Sequence, residues 1–162
     1  RHRRDPLVRK FLREFHRAIC GDLVPTWAGV WRDIEVAVGG HHPPLPHEVP
    51  MLMRRYTDDL AARWDDSSSR DDERLLEMLA FAEGRLLFIH PFRDFNGRVT
   101  RVFLRELLRR LRLPGLSLAP TEAAAREAYL AALGAADRQQ GCAAKRPKRA
   151  AQHARCVAGT SR

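Results

Sequence analysis

Between residues 72 and 112 apolar side chains recur at helical spacing, and the pattern is broken once, by His90-Pro91-Phe92-Arg93-Asp94-Phe95-Asn96. That break constrains the fold more than any other feature of the chain. Before it, Leu75, Leu76, Leu79, Phe81, Ala82, Leu86 and Leu87 are dense enough to be buried on more than one side of a helix from Asp71 or Asp72 to about Ile89. His90-Pro91 ends that helix, because the residue before a proline resists the α region. After the break a second helix runs from Gly97 to Arg112 and stops at Pro114-Gly115.

The flanking sequence follows the same rules. Asp5-Pro6 reads as an N-cap and first-turn proline, opening a helix to about Cys20 that stops at Gly21. Its apolar positions, Leu7, Val8, Phe11, Leu12, Phe15 and Ile19, form one stripe. An irregular stretch over 22–32 follows. Residues 33–38 alternate polar and apolar and end in Gly39-Gly40, which predicts a strand and a small hairpin before the proline-rich loop 41–46. A helix over about 46–64 tolerates Pro50 in its first turn. Residues 65–69 read as linker and cap, and Thr121-Glu122 caps a last helix to about Ala136. The expected fold class is all-α, a helical bundle with one small β-hairpin. The expected organisation is one domain over residues 1–140, followed by a basic, low-complexity and disordered tail over 141–162.

Charge supports that division. The tail carries six basic residues and no acid, out of a net +9, which leaves 23 basic against 20 acidic side chains in the first 140 residues. The basicity is therefore mostly a solvated tail, and nucleic acid is not the expected partner of the folded body. No apolar run reaches the roughly 18 residues of a membrane span, and no secretory signal is visible after Arg1. Three scattered cysteines, Cys20, Cys142 and Cys156, fit a reduced compartment rather than a disulfide framework. His41 and His42 lack a third metal ligand at useful spacing.

The break itself carries the chemistry. A helix beginning near Asn96-Gly97 presents unpaired N–H groups and a partial positive charge, which attract an anion such as phosphate. Arg98 and Arg101, three apart, project from neighbouring positions of its first turn and can clamp a polyphosphate. Asp94 can hold a magnesium ion that bridges phosphate oxygens. His90 is the side chain able to take a proton near neutral pH. Together these predict a phosphoryl- or nucleotidyl-transfer site with a general base.

The segment resembles the Fic (Fido) signature H-P-F-x-[D/E]-G-N-G-R-x-x-R. Eight of nine defined positions match: His90, Pro91, Phe92, Asp94, Asn96, Gly97, Arg98 and Arg101. Phe15-His16-Arg17, Gly21-Asp22-Leu23, Trp27-Ala28-Gly29 with Arg32, and Tyr129-Leu130-Ala131-Ala132-Leu133 with Ala136-Asp137 are similar to other elements of that family. The resemblance implies an all-α fold with a hairpin flap, and transfer of AMP from ATP to a hydroxyl side chain of a target protein. It implies His90 as base, Asp94 as magnesium ligand, and the 95–97 segment as an anion hole. Arg98 and Arg101 would contact the phosphates, and Phe92 would anchor the loop. A target docked along the flap, about 33–46, by strand addition is also implied. The expected location, from the cysteine usage, is cytoplasmic, in the cell of origin (bacterial, in a toxin–antitoxin setting) or in a host cell.

The chain departs from the family pattern in two respects. Phe95 stands where glycine or alanine is usual, which bears on the transferred group: AMP, or alternatively UMP, phosphate or phosphocholine. The inhibitory pattern [S/T]-x-x-x-E-[G/N] has no counterpart in the sequence, which implies a regulator placed upstream, lost, or supplied as a separate antitoxin-like protein. The reading from a different class is an inactive Fic-like module that binds through its basic tail.

Overall fold

The computed structural model describes residues 5–38, 40–66, 72–114, 124, 127–129 and 131–132. Helix α1 spans Asp5–Cys20, α2 spans Val49–Asp66, α3 spans Asp72–Ile89 and α4 spans Asn96–Arg110, with a single 3-10 turn, Pro46–Glu48, leading into α2. The expected tail, the domain limit at 140, Gly39, the linker serines and most of the last helix lie outside the described residues.

Spacing explains which faces meet. Met78, Ala82, Leu86 and Ile89 recur at four, four and three along α3, and Val49, Met53, Tyr56 and Leu60 at four, three and four along α2; all are buried. Val99, Phe103, Leu104 and Leu107 supply the α4 face and Leu12 the centre of α1. Helices α2 and α4 each pack against both α1 and α3, so α1 and α3 stand diagonally across the bundle. Leu75, Leu79 and Phe81 pack partly against this core, whereas Leu76 is 66% exposed. Burial of α3 thus extends beyond one stripe without enclosing the helix.

Two expectations need correcting. Helix α4 ends at Arg110 rather than Arg112: Arg112 turns left-handed, and the Leu113 amide closes back onto the Leu108 carbonyl at 3.0 Å. The hairpin over 33–46 is reduced, among the described residues, to one antiparallel bridge between Val38 and His41, with N–H···O distances of 3.1 and 3.0 Å. The physical reason lies in the returning arm. Pro43, Pro44 and Pro46 have no N–H to donate, so a ladder cannot propagate past the first pair.

Candidate active site

The α3–α4 loop contains two left-handed residues that are not glycine, His90 at φ 50° and Phe95 at φ 62°. Each such residue costs about 1 kcal/mol or more, and persists only where its surroundings over-determine it. They do so here. Asn96, 3% exposed, grips Phe92 at two points: its Nδ2 donates to the Phe92 carbonyl and its Oδ1 accepts the Phe92 amide, both at 2.9 Å. The Phe92 ring is buried and stacks on the His16 imidazole at 4.0 Å and 9°. His16 Nδ1 accepts the Gly29 amide at 2.8 Å, so Nε2 carries the proton and donates to the Asp94 carbonyl at 3.2 Å. Burial holds His16 below its ordinary pKa, against the opposing pull of Asp94, and keeps it neutral. Gly29 needs its freedom: its φ is 73°, and a Cβ there would lie 2.8 Å from the Arg13 carbonyl.

Arg32 holds the other end of the loop. Its backbone amide donates to the Pro91 carbonyl at 2.8 Å. Its guanidinium reaches the carbonyls of His90 at 2.7 Å, Ile34 at 3.1 Å, Ile89 at 3.3 Å and Pro44. The side chain is buried, and four carbonyl oxygens accept from four of its five N–H donors. It also ties the 33–46 segment to the end of α3. The Arg93–Asp33 ion pair, 2.6 Å, and the His41 Nε2 donor to the Phe88 carbonyl, 3.0 Å, add to that tether.

His90 is half-buried, and its Nδ1 lies 3.2 Å from the Leu87 carbonyl. A carbonyl only accepts, so Nδ1 carries the proton and Nε2 keeps its lone pair. Burial lowers the His90 pKa; the Leu87 hydrogen bond opposes this, positive charge on His41 and Arg32 adds to it, and Asp94 opposes it. The result is an imidazole held neutral, as a proton acceptor requires.

Further along the chain, α4 begins at Asn96 with Phe95 at its N-cap, and the Arg98 and Val99 amides both turn back onto the Phe95 carbonyl at 3.0 Å. Arg101 is half-buried, and its Nη1 lies 3.5 Å from where a Cβ on Gly97 would stand. Its guanidinium therefore lies alongside the first turn. Arg98 is exposed, with its guanidinium carbon 5.1 Å from the Phe95 ring centre. The exposed Asp94 accepts the Phe95 amide at 2.6 Å rather than capping α4. His90, Asp94, Phe95, Asn96, Gly97, Arg98 and Arg101 are thus gathered on one loop and the helix turn that follows it. The Asn96 side chain is committed to the loop. His16 and Arg32 are the residues to which sequence reasoning gave no role. The available signal was a histidine inside the apolar stripe of α1, four residues from Leu12.

These features define a class: a helical bundle in which a loop bearing a neutral imidazole leads into a helix whose first turn carries two arginines. The profile of the Fic/DOC family matches residues 6–108, and the chain belongs to that family. Among its relatives are proteins named Protein adenylyltransferase Fic from Drosophila persimilis and Drosophila ananassae, each 36% identical over 105 residues, and from Drosophila grimshawi, 35% identical over the same length. The matched region is 65% of this chain and about a fifth of each relative, 20 or 21%. No described helix is long and apolar enough to cross a membrane.

Proposed function

We propose that this chain is the transfer domain of a protein adenylyltransferase, moving AMP from ATP to a serine, threonine or tyrosine hydroxyl of a target protein. The observation that carries the reading is the neutral His90, with Nε2 unprotonated, on the loop that leads into an α4 first turn carrying Arg98 and Arg101. The relatives' shared name supports the choice of donor.

In the reaction, the target hydroxyl oxygen attacks the α-phosphorus of ATP. One P–O bond forms, the bond from that phosphorus to the α–β bridging oxygen breaks, and pyrophosphate leaves. His90 Nε2 takes the hydroxyl proton. The Asn96 and Gly97 amides and the two guanidinium groups stabilise charge on the polyphosphate. The exposed Asp94 carboxylate fits magnesium, which characteristically needs only one or two protein carboxylates beside substrate phosphates. Bound there, the ion would neutralise phosphate charge. The target would lie along 33–46, where Ile34, Val38 and Leu45 expose apolar side chains.

Incubation with ATP labelled at the α-phosphate and a cell lysate should yield a labelled protein band, while γ-labelled ATP should not. His90→Ala should abolish the band. Equal labelling by His90→Ala would overturn the assignment of the base. Parallel incubations with UTP and CDP-choline, read by intact mass, test the donor.

A further inference from the structure

Position 95 is the one defined signature position at which this chain departs, and the residue there still adopts the left-handed backbone that suits glycine, φ 62°. Phenylalanine in that conformation is strained, so its ring must be held by contacts. Its ring is half-buried, tilted against Trp27 at 6.4 Å and near-perpendicular to His16 at 6.3 Å, and His16 in turn is stacked on the buried Phe92. The ring is therefore the outer end of an aromatic ladder rooted in the core. Over it lies the Arg98 guanidinium, 5.1 Å from the ring centre.

That placement has a chemical consequence. A guanidinium lying over an aromatic ring engages through its face, and its N–H donors radiate in its own plane. They stay available to phosphate oxygens. An exposed arginine otherwise samples many rotamers and loses that freedom when it binds. Resting on the ring, Arg98 has surrendered part of it beforehand.

We propose that Phe95 is a positioning residue, whose ring holds Arg98 ready for a polyphosphate. The role rests on the nucleotide-transfer reading above and deepens it. A glycine at this position provides no ring, so the device belongs to this chain's own sequence.

The test has two readouts. Without nucleotide, the Arg98 side-chain protons in the NMR spectrum of the full chain should show an upfield ring-current shift. That shift should vanish in Phe95→Leu, which keeps an apolar side chain and removes the π face, and return in Phe95→Tyr. With ATP, Phe95→Leu should raise KM and the calorimetric Kd by about two- to five-fold, the factor an exposed cation–π contact supplies, with a smaller change in kcat. Phe95→Tyr should restore the tighter binding. In an Arg98→Ala background, Phe95→Leu should add nothing further. Arg98 protons without the shift in the unsubstituted protein would overturn the proposal and leave the transfer reading intact. So would a Phe95→Leu penalty of the same size with and without Arg98. A shifted Arg98 in a protein that binds no ATP would overturn both. Phe95→Tyr and a thermal melt of each variant separate a lost contact from a lost fold.

Discussion

The loop over 90–95 and the segment over 33–46 are both irregular and both meet at Arg32, yet they are held in opposite ways. In the loop, Asn96, His16 and Arg32 supply hydrogen bonds to the backbone of His90, Pro91, Phe92 and Asp94. In the 33–46 segment one backbone bridge forms among the described residues, Ile34, Val38 and Leu45 stay about half exposed, and the tethers include side-chain contacts across its edge: Arg32 to the Ile34 carbonyl, Arg93 to Asp33, and His41 outward to the Phe88 carbonyl. The difference teaches where order is needed. On the function proposed above, the atoms that would seat a phosphate are fixed redundantly, whereas the surface that would receive a target is left with exposed apolar side chains.

The comparison breaks most visibly at Arg32, the residue common to both regions. Arg32→Ala should lower unfolding free energy by about 3 kcal/mol or more, because four carbonyl acceptors lose a charged donor. Arg32→Lys should recover little, since an ammonium cannot span the same fork. Both are read by denaturant titration. Asn96→Ala removes the two-point grip on Phe92 alone, and about 2 kcal/mol is expected, together with loss of transfer as the loop loosens.

Acid should separate the regions next. His16 and His90 both have folded pKa values lowered by burial, so the unfolded chain binds protons more readily than the folded one. The stability they contribute is fully present above the ordinary histidine value of about 6.5 and is lost as pH falls through their lower folded values. Melting temperature should therefore decline on acidification below that point, and His16→Gln should flatten the decline. Transfer should persist somewhat below pH 6.5, because His90 stays unprotonated there, and fall at lower pH. The smallest effect belongs to the other region. Val38→Asp should change stability by no more than about 0.5 kcal/mol, leave ATP affinity unchanged and weaken labelling of the target.

Much of the site was legible because its chemistry is local. A proline after His90, an Asn-Gly at the start of α4 and two arginines three apart are consecutive features, and the structure keeps them consecutive. The four described helices were legible for the same reason, since apolar spacing and Pro or Gly punctuation act within a few residues. Of the hairpin, one antiparallel pair is seen among the described residues. Alternation over 33–38 describes one strand, and whether it pairs depends on donors in a second segment where prolines remove them. His16 and Arg32 were not legible as supports, because their partners lie 78 and 58 residues away. Nothing in the neighbourhood of either residue says which carbonyl it will meet.

The claim beneath all of this is that a polyphosphate sits on the first turn of α4 within reach of the imidazole at 90. Titrating ATP into the isotopically labelled protein tests it in one spectrum. The account predicts that the Asn96 and Gly97 amides, the Arg98 and Arg101 guanidinium signals and the His90 ring shift together along one saturating curve. Saturation at other residues, with the amides of 96 and 97 unmoved, would contradict it.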